Sequence, residues 1–173
     1  MGVSEGELKV AGIEPESIVD GPGIRFAVFV QGCPHKCPGC HNPGTHPFEG
    51  GRAVAVEDIF GQFRRDPLLK GITLSGGEPF CQAGALARLA KLVHGAGKDV
   101  VVYTGYTYEE LAGSDDPAVQ ALLSETDLLI DGPFIEGQKN LELRFRGSEN
   151  QRLIDMAKTR SAGRAVLWEP EGW

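Results

Sequence analysis

The sequence has no run of apolar residues that approaches the roughly 20 needed to cross a membrane as a helix. Its first residues lack the basic and then apolar pattern of a secretory signal peptide, so we expect a cytoplasmic protein. Lys and Arg number 17 against 24 Asp and Glu, which gives a formal net charge of -7. This balance does not favour nucleic-acid binding, because binding to phosphate backbones needs clustered cations. We therefore expect neither a membrane nor a nucleic acid as a partner.

Cysteine is also scarce, and its spacing is uneven. The chain has four cysteines, of which Cys33, Cys37 and Cys40 fall within eight residues, whereas Cys81 stands apart. In a reducing compartment such a group is more often a metal site or a catalytic site than a set of disulfides. We interpret Cys81 as a small buried apolar side chain in the first turn of a helix. The sequence does not suggest a Ser-His-Asp hydrolase or a phosphate-binding loop.

The apolar residues alternate between strand and helix patterns over most of the chain. At 173 residues the sequence fits one domain, and it is short for a complete eight-stranded barrel. The alternation predicts an α/β fold with parallel strands, and functional residues should lie at the carboxyl ends of those strands, where Cys33, Gly76, Thr104 and Asp131 stand. The predicted strands are 24–30, 72–75, 99–103 and 127–130, with further candidates at 152–155 and 164–168; the predicted helices are 56–65, 83–96, 109–112 and 118–124.

The three clustered cysteines lie on a loop whose turns are favoured by Pro34, Pro38 and Gly39. Three converging thiolates indicate a metal site, and two kinds of site fit the spacing. Structural zinc takes four closed ligands, usually from two Cys-x-x-Cys pairs, and the loop has one such pair. A 4Fe-4S cluster held by three cysteines leaves one iron open to bind a substrate or cofactor. For zinc, the fourth ligand would come from one of four residues: His35, His41, His46 or Cys81.

Several longer motifs resemble a known family. Cys-x3-Cys-x2-Cys resembles the signature of the radical S-adenosylmethionine (SAM) superfamily, and Ser75-Gly-Gly-Glu-Pro79 resembles its Gly-Gly-Glu motif. The segments 17–25 and 29–33 resemble the region that precedes the cluster in activating enzymes of glycyl-radical proteins. Within that group, the segments that most resemble the activating proteins of the anaerobic ribonucleoside-triphosphate reductase are 32–43, 103–106, 131–134 and 146–152.

The resemblance implies a single radical SAM domain over residues 1–173, folded as an open partial (β/α) barrel of mostly parallel strands with outer helices. It implies a 4Fe-4S cluster on Cys33, Cys37 and Cys40, where SAM is cleaved reductively to a 5'-deoxyadenosyl radical. That radical takes hydrogen from a glycine of the large glycyl-radical subunit of the reductase, and a donor such as a flavodoxin reduces the cluster. Three alternatives stay open: activation of a glycyl-radical enzyme of the formate-lyase type, a radical SAM reaction on a small molecule, and a zinc-binding interaction module.

The resemblance also implies a SAM site next to the cluster, with no catalytic group beyond the cluster and SAM. Glu78 is expected to accept hydrogen bonds from the ammonium of SAM, and the glycines before it let the backbone approach closely. Many radical SAM proteins carry an aromatic residue just before the third cysteine, against the adenine, where this chain has Gly39. The adenine contacts are therefore left unassigned. The implied cofactor-binding residues are Gly76, Gly77, Glu78, Thr104, Asp131 and Arg146.

Overall fold

A computed structural model describes residues 6–170, and within that range the strands form one seven-stranded sheet. The strands are β1 (Glu7–Ser17), β2 (Arg25–Val30), β3 (Arg52–Ala55), β4 (Gly71–Gly76), β5 (Asp99–Tyr103), β6 (Leu128–Asp131) and β7 (Arg152–Asp155). The helices are α1 (Val56–Phe63), α2 (Ala83–Gly95), α3 (Tyr108–Ala112), α4 (Pro117–Ser124) and α5 (Met156–Ala162). Among the described residues, no helix has the length and apolar character required to span a membrane.

The strand order in the sheet is β3-β1-β2-β4-β5-β6-β7. β2, β4, β5 and β6 run parallel to one another at the centre, as the alternating sequence pattern predicted. β1 pairs antiparallel with β2 and β3, and β7 pairs antiparallel with β6. Within residues 6–170, five of the seven strands therefore point the same way. The α/β class is confirmed, whereas curvature of the sheet into a partial barrel stays a prediction.

The two faces of the central strands have different surroundings, because side chains alternate along a strand. In β2, Phe26, Val28 and Val30 belong to a large apolar core that includes residues of α1, α2 and α4. Helices therefore cover this face of the sheet. The opposite face carries a smaller apolar cluster, which consists of Val101, Leu128, Ile130 and Trp168. Much of that second face is left for polar side chains and for a site.

The differences from the sequence prediction lie at the edges of the sheet. The sequence pattern does not indicate β1 or β3, although Leu8 and Val10 of β1 are buried and alternate with polar residues. Two register shifts along β1 and its exposed middle break the alternation that marks a strand. The candidate strand at 152–155 is β7, but 164–168 makes only one bridge, between Leu167 and Ile154. The helix α5 that precedes it was not indicated by the sequence.

One buried arginine connects β2 to its neighbours in the sheet. The guanidinium of Arg25 donates to the hydroxyl of Thr73 (2.7 Å), to the main-chain oxygens of Ile72 (2.8 Å) and Pro22 (3.0 Å), and to the carboxylate of Asp99. Burial lowers the pKa of Arg25, and the carboxylate of Asp99 opposes that effect. Because the charge is paired and its donors are used, the group stabilises the junction of β2, β4 and β5.

Replacing Arg25 by Gln should lower the free energy of unfolding by about 3 kcal/mol or more, because the change removes the cation that serves a set of buried acceptors. Urea unfolding followed by circular dichroism measures this difference. Arg88→Gln is the matched control, since Arg88 is exposed and pairs with Glu57 at the surface. The control should cost less than about 1 kcal/mol. An equal decrease in the free energy of unfolding in the two variants would contradict the proposed role of Arg25 in stabilising the junction of β2, β4 and β5.

Candidate functional site

A cavity of about 610 Å³ opens at the carboxyl ends of the central strands. Phe29 of β2 and Ser75 of β4 line it, and both alternate with residues of the helical core, so the cavity lies on the opposite face of the sheet. Two of the expected site residues, Glu78 and Asp131, are not among the lining residues. Those that do line the cavity are Cys33, Cys37, Cys40, Gly76, Gly77, Thr104 and Arg146.

The loop that carries Cys33, Cys37 and Cys40, called the cysteine loop below, begins directly after β2 and is anchored by main-chain hydrogen bonds. The N–H of Gly32 donates to the oxygen of Thr45 (2.7 Å), and the N–H of Cys33 donates to the oxygen of His46 (3.0 Å). Cys33 is buried, and burial raises the pKa of its thiol, an effect that main-chain hydrogen bonds partly oppose. Among the described residues all the cysteines are free. The loop thus presents three unpaired thiols to one cavity.

The same geometry bears on the choice between zinc and a cluster. Within residues 6–170, no group of three or more His, Cys, Asp or Glu side chains is arranged to hold a single metal ion. A closed zinc site needs four ligands around one ion, and the loop has one Cys-x-x-Cys pair, so a fourth ligand would have to come from another part of the chain. In an iron-sulfur cluster each cysteine binds a different iron, and the thiols need only face a common space.

Gly76 and Gly77 lie where the end of β4 comes close to the end of β2. Gly76 has a φ of 94°, and a Cβ there would lie 2.5 Å from the main-chain nitrogen of Val30. A Cβ on Gly77 would overlap the main-chain oxygen of Gly32. The N–H of Gly77 donates to the oxygen of Val30 at 2.8 Å. Larger residues would push the strand end away from the cysteine loop, so the glycines bring the two together.

Glu78 lies behind the cavity wall rather than on it. Its side chain is fully buried, and four donors reach the carboxylate: Nε2 of His35 (2.7 Å), the N–H of Gly105 (2.8 Å), the hydroxyl of Thr104 (2.9 Å) and the N–H of Phe80 (3.0 Å). A carboxylate offers about four acceptor positions, and these donors fill them. The sequence led us to expect the ammonium of SAM here; in the structure the carboxylate accepts from these four donors of the chain itself.

The structure distinguishes the three histidines near the cysteines, which the sequence alone treats alike. His35 donates to the buried carboxylate, and its ring meets Tyr106 edge-on with 4.5 Å between ring centres. His41 packs edge-on against Phe134, with ring centres 5.5 Å apart. His46 lines the cavity, and its Nε2 is buried without a hydrogen-bond partner among the described residues. Gly105 and Tyr106 of the motif Tyr103-Thr-Gly-Tyr106 lie beside His35, a contact that the sequence alone did not indicate.

Asp131 and Arg146, the remaining two of the expected cofactor-binding residues, differ in their position relative to the cavity. Asp131 is buried at the end of β6, where its carboxylate accepts from Arg152 (2.5 Å) and from the N–H of Tyr108 (2.7 Å). These bonds fix the segment that follows β5, so Asp131 supports the cavity wall from behind. Arg146 lines the cavity, and its guanidinium donates to two main-chain oxygens, the nearer being that of Gln151 at 2.6 Å.

Steric limits explain the glycine before the third cysteine. Gly39 has a φ of 75°, and a Cβ there would lie 3.0 Å from the side chain of Glu136. A left-handed backbone and a close neighbour both disfavour an aromatic residue at this place. Aromatic side chains from other parts of the chain line the cavity instead. The sequence did not identify them as site residues, although two lie in the motif segments 103–106 and 131–134. The aromatic lining residues are Phe29, Tyr103, Phe134 and Phe145.

Cys81 is exposed, so the expectation of a buried side chain was wrong. It lies in the 3-10 turn Pro79–Gln82, just before α2, and not inside the helix. Partial burial of the sulfur, together with the charge of Glu78, raises the pKa of the thiol to about 11. Cys81 is not among the residues that line the cavity.

Comparison with known proteins agrees with this geometry. The sequence model of the 4Fe-4S single cluster domain family matches residues 19–154. The anaerobic ribonucleoside-triphosphate reductase-activating protein of Vibrio cholerae is 39% identical over 146 residues, which cover 79% of this chain and 91% of the relative. The proteins of the same name from Escherichia coli and Haemophilus influenzae are each 37% identical, covering 79% of this chain and 92% and 91% of the relatives.

Among solved structures, QueE from Escherichia coli overlaps 58% of this chain and 54% of its own, with 18% identity and a TM-score of 0.46. A likeness of that size carries no conclusion about this chain. The sequence relatives are decisive, because they match most of both chains at more than 30% identity. The chain therefore belongs to the family of anaerobic ribonucleoside-triphosphate reductase-activating proteins, within the 4Fe-4S single cluster domain family.

Proposed function

We propose that this protein activates the anaerobic ribonucleoside-triphosphate reductase by forming a glycyl radical on its large subunit, with a 4Fe-4S cluster and SAM as cofactors. The observation that carries the proposal is that three free thiols, those of Cys33, Cys37 and Cys40, line one cavity at the strand ends. The names of the relatives, which are reductase-activating proteins, support the choice of partner. The motifs that resemble radical SAM enzymes support the choice of SAM.

The residues of the cavity fit both cofactors. Three thiols on one loop can each ligate one iron of a 4Fe-4S cluster and leave the fourth iron open. His46 adds a buried ring nitrogen without a partner among the described residues, as expected where a bound group supplies the missing hydrogen bond. The volume of about 610 Å³ lies within the range of pockets that bind molecules of cofactor size.

A reduced cluster held by Cys33, Cys37 and Cys40 would supply one electron for the cleavage of SAM, and that cleavage would lead to removal of hydrogen from a glycine of the reductase. The share of the protein is to bind, orient and exclude water. Gly76 and Gly77 offer main-chain surface without side chains, against which SAM can pack closely. The guanidinium of Arg146 is a suitable donor to the carboxylate of SAM. The aromatic lining provides apolar surface for the rest of the cofactor.

A second set of residues acts on the site from behind the wall. Thr104 lines the cavity and directs its hydroxyl to Glu78 behind it, while Asp131 is held by Arg152. The pKa of Glu109 is lowered because Arg152 also donates to that carboxylate. These ion pairs connect the end of β6 to β7 and to α3, so they support the cavity wall near Gly132.

The proposal extends to the surroundings of the site. The whole chain, residues 1–173, acts as a single radical SAM domain with an open partial barrel, and the glycine of the partner enters from the open side of the cavity. A one-electron donor such as a flavodoxin reduces the cluster. Free thiols suit a reducing compartment, so we place the protein in the cytoplasm.

Anaerobic reconstitution with iron and sulfide should give a coloured protein with the electron paramagnetic resonance (EPR) signal of a reduced 4Fe-4S cluster. Addition of SAM should change that signal, because SAM binds the open iron. The measurement is the EPR spectrum of the reduced protein with and without SAM. A colourless protein with one bound zinc and no signal would support the zinc-binding module instead. A signal that SAM leaves unchanged would contradict the proposed SAM site.

The Cys37→Ala variant should fail to keep iron after reconstitution, because two thiols are too few to hold the cluster. Cys81→Ala is the matched control, since Cys81 is exposed and lies outside the cavity lining. It should retain the iron content and the SAM cleavage of the wild type. Iron and sulfide assays, with SAM cleavage measured by chromatography, test both variants. Loss of iron in Cys81→Ala would place that thiol among the ligands and overturn the assignment.

The identity of the partner can be tested by mixing the reconstituted protein with SAM, a reductant and one candidate glycyl-radical enzyme. The large subunit of the anaerobic ribonucleotide reductase should gain a glycyl-radical EPR signal. An enzyme of the formate-lyase type should gain none, and it serves as the control. The opposite result would favour the alternative function of the same class.

A further inference from the structure

Glu78 joins three separate segments of the protein through one buried carboxylate. Its donors come from the cysteine loop (His35), from the end of β5 (Thr104 and Gly105) and from the turn that follows β4 (Phe80). A buried charge is tolerated only where its hydrogen bonds are made. His35 supplies the side-chain link between this carboxylate and the cysteine loop, and it adds to the main-chain hydrogen bonds of Gly32 and Cys33 that anchor the start of the loop.

The ring of His35 also fits a slot formed by its neighbours. It meets Tyr106 edge-on, and a Cβ on Gly105 would lie 2.5 Å from the ring, so a side chain at position 105 would displace it. Lys36, the next residue of the loop, has a φ of 50°, which is unfavourable for a residue with a side chain. Such a turn persists only where the surrounding contacts fix it. The contacts of His35 do this between two of the three cysteines.

We propose that His35 is a positioning residue that fixes the cysteine loop on Glu78, so that Glu78 acts on the site through His35 and not by binding SAM itself. The inference rests on the proposed function, since it takes Cys33 and Cys37, on either side of His35, as cluster ligands. A carboxylate can only accept, so Nε2 of His35 carries the hydrogen of this bond. A loop that shifts would move the thiols, and with them the iron to which SAM binds.

A histidine that only filled space would be replaceable by an apolar side chain of similar size without effect on SAM. The positioning role instead requires a donor at the place of Nε2. His35→Leu removes the donor and keeps much of the volume, whereas His35→Gln places an amide N–H near the former Nε2. Lys36→Gln is the matched control, because Lys36 belongs to the same loop and its side chain is exposed.

The experiment uses the full chain reconstituted with iron and sulfide. Iron content, the EPR spectrum of the reduced protein with and without SAM, and the dissociation constant of SAM by calorimetry are compared for the wild type and the three variants. We expect His35→Leu to bind SAM about tenfold or more weakly, the effect of one lost hydrogen bond to a charged group, and to show a smaller change in EPR signal on SAM addition. His35→Gln should recover most of the affinity, and Lys36→Gln should match the wild type.

The proposal is overturned if His35→Leu holds normal iron and binds SAM within about twofold of the wild type, since such a result leaves no room for one charge-assisted bond. If His35→Leu takes up no iron, the His35→Gln variant is the test. Iron content and SAM affinity like those of the wild type in His35→Gln would support the donor role. Loss of SAM binding by His35→Gln at the iron content of the wild type would contradict it. The EPR spectrum of the wild type tests the proposed function separately. If SAM did not change the cluster signal of the wild type, the proposed function would be contradicted before any variant is compared.

Discussion

A carboxylate without contact to solvent is costly unless each acceptor position is used, and Glu78 meets that condition with donors from three segments. The bonds hold the ends of β4 and β5 and the cysteine loop at fixed separations. Gly76 and Gly77 satisfy a steric requirement at the same place, since no side chain would fit between the strand ends. The electrostatic and the steric requirement act together. If the strand ends came close without supplying donors, the buried carboxylate of Glu78 would be left unpaired.

The two faces of the sheet have different roles: one packs against the helices, and the other carries the site. Apolar side chains on one face pack under helices and supply most of the burial that stabilises the fold. The other face accommodates polar groups because a loop brings partners to them: the hydroxyl of Thr73 accepts from Arg25 and donates to the main-chain oxygen of Asp20 (2.6 Å). Asp20 and the exposed Val19 also line the cavity. The loop before β2 is thereby part of the site, although it contains no regular secondary structure.

Local features were readable from the sequence, and contacts between distant residues were not. Apolar runs predicted β2, β4, β5 and β6, because a buried parallel strand needs apolar residues on both faces. Of the four residues expected at the strand ends, Cys33, Gly76 and Thr104 line one cavity, whereas Asp131 does not. The partners of Glu78 could not be read, since His35 lies 43 residues before it and no local pattern pairs them. The exposure of Cys81 depends on how its turn meets α2, which composition does not specify.

The cavity draws its wall from residues between Val19 and Gln151, so nearly the whole chain must be present before the wall is complete. Arg146 follows Cys40 by 106 residues, which corresponds to roughly 5 to 20 s of synthesis on a ribosome. During that interval the three thiols have emerged, while the segment that closes the cavity around them has not. Burial of Cys33 is therefore a property of the finished fold and not of the cysteine motif, and a nascent chain depends on a reducing environment to keep its thiols usable.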